Sequence, residues 1–210
     1  MRTFFVILAL CAVMDGIQAQ KIIEKNISFA QKNALELNLQ IADSINVHTW
    51  NKNEVYAKAS VNINQNKDND VYETSFDESG DRVSIKANFR SDYFKGKKHC
   101  CESEISWDIY LPENARVSIE TINGNIIITG KTSQIKAHTI SGFIDVSISA
   151  EKKADLEMKT ISGNIYTDIA MATSGKQRIA ELKINDKLNG GGVPINLETI
   201  SGDIFFRKAK

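Results

Sequence analysis

Over the second half of the chain, apolar residues occupy every second position, and the phase of that alternation reverses at intervals. Val117, Ile119 and Thr121 share one phase, and Ile126 and Ile128 take the other. The same reversal carries Ile135, Ala137, Thr139 into Ile144, Val146, Ile148, and Leu156, Met158, Thr160 into Ile165, Thr167, Ile169. It recurs from Ile195, Leu197, Thr199 into Ile204, Phe206. A period of two belongs to a β-strand with one buried face. A change of phase without a change of period marks a corner, where the chain bends and the inward face is re-aimed.

The corners are near-copies of one hexapeptide: Thr121-Ile122-Asn123-Gly124-Asn125-Ile126, Thr139-Ile140-Ser141-Gly142-Phe143-Ile144, Thr160-Ile161-Ser162-Gly163-Asn164-Ile165 and Thr199-Ile200-Ser201-Gly202-Asp203-Ile204. Gly124, Gly142, Gly163 and Gly202 are therefore predicted as structural corners, because glycine accepts the left-handed backbone that a corner often needs. The glycines lie 18, 21 and 39 residues apart. The last spacing is the sum of the first two, which predicts one degenerate copy, with Ile184-Asn185-Asp186-Lys187-Leu188 as its candidate. A strand–corner–strand unit of this length cannot bury its own apolar face, but units stacked ~4.8 Å apart bury it continuously. The reading is a parallel β-solenoid. Stacking would align an inward Thr column, an Ile column (Ile126, Ile144, Ile165, Ile204) and a Ser/Asn column (Asn123, Ser141, Ser162, Ser201), ladders of the cross-β kind. An antiparallel β-sandwich is the alternative; it explains alternation but not the recurrence of six residues.

The first half alternates less regularly. Leu35, Leu37, Leu39 and Ile41 lead into Ile45 and Val47, with Ile41-Ala42-Asp43-Ser44-Ile45 readable as a worn corner carrying Asp43 in place of Gly. Val55 to Ile63, Val83 to Phe89 and Ile105 to Leu111 are further strands, separated by turn-rich stretches such as Asp77-Glu78-Ser79-Gly80-Asp81. These are hairpin signals. Residues 20–210 are thus expected to form a single β-solenoid domain: 20–111 a first coil plus antiparallel hairpins that cover one open end, 112–210 the repeat coils.

Residues 1–19 read as a signal peptide. Arg2 precedes the apolar run Phe4–Met14, too short to span a bilayer, and Ala19 supplies a small residue before the expected cut. A lipoprotein reading with Cys11 as the lipidated residue is weaker, because the preceding Leu10 is not small. The 26 basic residues balance the 26 acidic ones, so no electrostatic footprint for nucleic acid exists, and no later segment is a transmembrane candidate.

Trp50-Asn51-Lys52-Asn53-Glu54-Val55, Tyr110-Leu111-Pro112-Glu113-Asn114-Ala115 and the Thr-Ile-Ser-Gly-X-Ile units, taken in this order, resemble the bacterial adhesin-like β-strand-repeat family. The resemblance covers most of the chain after the leader. It implies a secreted or envelope-associated β-solenoid with roles in adhesion or envelope stress, and it supplies no catalytic residues. Phe143 departs from the small polar residue usual after the Gly, and Ala170–Gly192 fits the repeat poorly.

The candidate chemistry is sparse. His99, Cys100 and Cys101 are adjacent but have no second ligand cluster at zinc-like spacing, so a solvated loop with two thiols or a local disulfide is the better reading. His138 should point outward beside Glu120 and Lys159. Gly190-Gly191-Gly192 precedes a strand-like segment, not the helix that a phosphate site would use. The outward columns place no acids on adjacent coils, as a polysaccharide-processing β-helix enzyme would require. No catalytic residue, metal site or cofactor is predicted. What remains is an outward aromatic set, Phe143, Tyr166 and Phe205, suited to flat contact with envelope or host glycans or protein. The function expected is a non-catalytic exported binding or structural protein, periplasmic, surface-bound or secreted, with envelope-stress sensing and the polysaccharide enzyme as alternatives. Mass spectrometry of the cell-derived protein should find an amino terminus near Gln20; an intact Met1 would refute export by this leader.

Overall fold

The computed structural model describes residues 19–95, 102–171, 176–178 and 181–209. Residues 1–18 of the expected signal peptide and the His99-Cys100-Cys101 group lie outside the described residues. The strands are β1 (Lys21–Ser28), β2 (Ala34–Leu39), β3 (Ile41–Trp50), β4 (Glu54–Ile63), β5 (Tyr72–Asp77), β6 (Arg82–Phe89), β7 (Ser103–Pro112) and β8 (Arg116–Thr129). They continue with β9 (Ile135–Ser141), β10 (Ile144–Ile148), β11 (Ala154–Ser162), β12 (Ile165–Thr167), β13 (Lys176–Arg178), β14 (Glu181–Leu188), β15 (Val193–Ser201) and β16 (Ile204–Lys208). One 3₁₀ turn, Asn69–Val71, is the only helical element described.

All sixteen strands join in one mixed, largely parallel sheet. The 14-residue β8 runs through its corner, its first part paired with β2 and β9 and its second with β3 and β10. The sheet therefore has two wings. One runs β5–β6–β2–β8–β9–β15–β11–β14–β13, the other β1–β4–β7–β3–β8–β10–β16–β12. Six rungs cross both wings, five of them strand–corner–strand units and the sixth formed by β6 and β7, and every rung pairs with its neighbours in parallel. Parallel pairing of the repeat units removes the antiparallel sandwich as their architecture. The antiparallel strands sit at the ends, β4 with β1 and β5 at one and β14 with β13 at the other.

The order of the rungs differs from their order in the chain. Along the stack it is β6–β7, β2–β3, β8, β9–β10, β15–β16, β11–β12. The last repeat is thus inserted between the second and third, with Thr199 aligned to both Thr139 and Thr160. This corrects the reading of the 39-residue spacing. No copy has degenerated there; Ile184–Leu188 lies in β14, antiparallel to β11, and the chain goes out along that strand before returning to the gap. The amino-terminal half is also more repetitive than expected, because β6–β7 forms a second rung beside β2–β3.

The corner chemistry explains the motif. Thr121, Thr139, Thr160 and Thr199 are buried, so each hydroxyl needs a partner inside the core. Thr139 Oγ1 donates to the Gly124 carbonyl at 3.2 Å, Thr199 Oγ1 to Gly142 at 3.0 Å, and Thr160 Oγ1 to Gly202 at 2.9 Å. Each bond crosses from one rung to the next. The glycines stack in the same order, so closely that a Cβ on Gly163 would overlap the Gly202 carbonyl, one on Gly202 that of Gly142, and one on Gly142 that of Gly124. Gly142 and Gly202 also have φ of 142° and 154°, whereas Gly124 and Gly163 do not adopt positive φ and owe their identity to close approach alone. At the β2–β3 corner Ala42, not Asp43, occupies the column: Asn123 pairs with Ile41, and the register shifts between Ile41 and Ser44. Asp43 is the extra residue of that bulge, and its Oδ2 accepts the Ile105 N–H at 2.6 Å.

The inward residues of both wings form one apolar cluster. At its amino-terminal end Trp107 is fully buried and its Nε1 donates to the Tyr72 hydroxyl at 3.1 Å, which donates in turn to the Ile41 carbonyl at 3.2 Å. Burial pushes the Tyr72 phenol up to about 12.

Two outcomes are expected. Gly124→Ala should destabilise by at least ~3 kcal/mol, because the methyl meets the backbone carbonyl of Ala42. Gly80→Ala, at φ +69 in open space, should cost only ~1 kcal/mol; equal urea midpoints for the two would refute the close-approach account. Since the folded Tyr72 ionises later than the unfolded one, stability should fall as pH rises from the ordinary tyrosine value toward about 12, by up to ~2–3 kcal/mol. Tyr72→Phe should flatten that part of the urea-midpoint profile.

Candidate binding face

The outward positions of the second wing form ladders whose order follows the rungs. In one, Ile127, Asp145, Phe205 and Tyr166 are consecutive. Phe143 enters from the neighbouring ladder, at the corner that precedes β10. The insertion of β16 between β10 and β12 brings all three sequence-predicted aromatics together. Tyr166 stacks on Phe205 at a centroid distance of 5.2 Å and 13° between planes, and Phe205 meets Phe143 edge-on at 6.0 Å and 83°. Tyr166 is 49% exposed, while Phe143 and Phe205 are partly buried. The Arg207 guanidinium lies 4.9 Å from the centre of the Phe205 ring and pairs with Asp145 at 3.1 Å. Burial raises the Asp145 carboxyl above its ordinary value, and Arg207 offsets part of that rise. The cluster is a contiguous ring surface with one cation and one anion at its margin.

The backbone beneath it is fixed by side chains of the motif's fifth position. Asn125 Oδ1 accepts the Phe143 N–H at 3.1 Å, and Asp203 Oδ1 accepts the Asn164 N–H at 2.7 Å. These bonds hold the chain where it leaves each corner, immediately before the ring-bearing positions.

Two outward features escaped the sequence reading. At the far end of the same wing, Tyr110 lies 5.1 Å from His48 and 5.3 Å from Trp50, with Tyr56 6.2 Å from Tyr110. β7 is remote in sequence from β3 and β4 and lies between them in the sheet, so only the pairing register brings Tyr110 to the other three. The second feature was within reach. Ile122, Ile140, Ile200 and Ile161 are 47%, 41%, 37% and 47% exposed, one on each motif rung in stacking order. They follow the inward Thr directly, and that phase alone places them outside.

The other candidate groups give no reactive constellation. His138 stands between Glu120 and Glu198, not Lys159 as expected, since β15 separates β9 from β11; its Nδ1 is 3.8 Å from Glu198, which also pairs with Lys159 at 3.2 Å. Lys136 pairs with Glu120 at 2.9 Å. This is a charge ladder across neighbouring rungs. Gly190 and Gly191, at φ of 90° and 88°, belong to the turn between β14 and β15. Among the described residues no three His, Cys, Asp or Glu side chains are placed to hold a metal ion, and no helix is long and apolar enough to cross a membrane.

No family model and no curated protein matches the chain. Among solved structures, a candidate cell adhesion protein from Clostridium sporogenes superposes with a TM-score of 0.59 at 13% identity, over 91% of this chain and all of its own. The two share a fold. The sequence-level resemblance to bacterial adhesin-like proteins therefore has a structural counterpart, at an identity that speaks to architecture alone. A candidate adhesin from Bacteroides fragilis matches at 7% identity and a TM-score of 0.36, over 91% of this chain and 99% of its own. A candidate lipid-binding protein from Parabacteroides distasonis matches at 11% and 0.30, over 91% and 97%.

Proposed function

We propose that the protein is an exported, non-catalytic β-solenoid of the bacterial cell envelope or surface, whose second wing presents Phe143, Phe205 and Tyr166 to an envelope or host glycan. The ring cluster carries this reading. Its strands are hydrogen-bonded into a continuous stack, so the rings are held without a flexible loop and little ordering remains to be done on binding. Adjoining aromatic faces rimmed by Arg207 and Asp145 match the apolar face and polar rim of a sugar ring. The shared fold with a candidate adhesion protein agrees with a surface role, and on the first wing Glu120 and Glu198 are each paired with a lysine, which supports a charge ladder over a general acid and base pair there.

The test is a panel of envelope and host glycans incubated with the purified protein, read for both retention and release of reducing ends. Retention is expected, with at least a tenfold loss in Phe143→Ala/Tyr166→Ala and an unchanged melting temperature. New reducing ends would overturn the non-catalytic reading. Retention unaffected by the double substitution would remove the ring cluster as the site.

A further inference from the structure

The last rung occupies a gap whose walls are built from earlier residues. β15 is held by β9 on one side and β11 on the other, and β16 by β10 and β12. What recognises the rung is repeated on both walls. Thr199 donates to Gly142 on one wall, Thr160 of the other donates to Gly202, and Ser201 aligns with Ser141 and Ser162. Gly142 N–H donates to the Ser201 carbonyl at 3.0 Å, and Gly202 N–H to that of Ser162 at 2.9 Å. None of these contacts depends on which chain supplies residues 193–208.

The connection is also suited to opening. β14 and β15 flank β11 on opposite sides, so the short turn between them crosses over the start of β11. Asn189, Gly190 and Gly191 in this turn have successive φ of 51°, 90° and 88°, and the two glycines adopt an extended connection as readily as this one. An emptied gap exposes two unpaired parallel edges together with Ile135, Ala137, Leu156 and Met158, all buried in the folded chain.

We infer that this gap is an exchangeable strand slot whose second occupant is the 193–208 rung of another copy of the chain. Reciprocal exchange keeps every contact of the slot and changes only the turn at Asn189–Gly192, the condition under which domain swapping gives a closed dimer. Asn189 Nδ2 donates to the Ala150 and Lys152 carbonyls at 2.8 and 2.9 Å, and these bonds hold the closed form in the monomer.

The test uses paired cysteines on exposed, directly aligned positions, Lys136→Cys/Asn196→Cys across one wall and Glu157→Cys/Asn196→Cys across the other, with the native cysteines changed to serine. Concentrated protein is taken to its urea midpoint, returned to buffer and oxidised, and the dimer fraction is run on a denaturing non-reducing gel. Exchange predicts covalent dimer for both pairs, because each disulfide then joins two chains. A dimer that runs as monomer, or the absence of dimer, would overturn the inference. A second measurement on the unmodified chain does not rely on the cysteine variants folding. A labelled peptide of residues 193–208 added during the same cycle should be retained on the chain, and its Gly202→Val form should be retained at least tenfold less. Equal retention, or none, counts against the slot.

Discussion

The hydrogen bond from a buried threonine to the glycine carbonyl of the adjacent rung is the interaction on which the rest of the architecture depends. A rung that bends through nearly the same six residues as its neighbour must place a polar side chain at the inside of the bend, where water is absent. Threonine satisfies its hydroxyl by reaching across the stack, and it reaches only because the next backbone is too near for a Cβ. The two residues therefore constrain each other: glycine permits the approach, and threonine satisfies the carbonyl that the approach buries. Once this spacing is set at the corner, the strands on either side fall into parallel register, and the inward Ile126, Ile144, Ile204 and Ile165 stack without further specification.

Because every motif rung carries the same pair, the pair specifies that rungs stack but not which rung stacks on which. The choice falls to the connections. At both ends the chain departs and then returns to an inner position, β2–β3 lying between β6–β7 and β8, and β15–β16 between β9–β10 and β11–β12. Each departure leaves an antiparallel strand outside the last parallel rung, so the outermost edges are β1, β5 and β13, with the three-residue β12 closing the second wing. The three-residue edges β12 and β13 are too short to template much pairing with other molecules. The arrangement has a kinetic consequence, since β9 and β15 are some sixty residues apart and their pairing closes a long loop before any contact rewards it.

These two facts also decide what was legible in the sequence. Burial was legible on the inner rungs, because a two-residue period fixes the inward phase: Val117, Ile119, Ile135, Ala137, Leu156, Met158, Ile195 and Leu197 are all buried as read, whereas at the edge of the second wing Ile165 and Ile169 are only partly buried and Thr167 is exposed. The corner glycines were legible as corners, although the expected reason, positive φ, holds at Gly142 and Gly202 and not at Gly124 or Gly163. Rung order was not legible, since identical motifs carry no address, and the long final spacing was open to the simpler account of a lost copy. The Asp43 assignment missed by one residue because a bulge adds a position that alternation does not count. For the aromatic set, outward phase was sufficient to select Phe143, Tyr166 and Phe205, but their mutual contact depends on an order that the sequence does not state.

That dependence ties the candidate face to the completion of the fold. Phe143 stands at the start of β10 and Tyr166 on β12, two strand spacings or ~10 Å apart across the wing. The rung that fills the interval contributes Phe205, the ring that touches both, and Arg207, the cation at the margin. Without it the two outer rings have no common neighbour, and Asp145 loses its ion partner. The same insertion supplies the interior, where Thr199, Ile204 and Phe206 are fully buried. A chain lacking a seated final rung would thus be deficient in its core and in its outward surface at once. The ring cluster is in this sense the outer side of the last step of assembly: the hydrogen bonds that seat Thr199 and Gly202 at the corner also set Phe205 between its two neighbours.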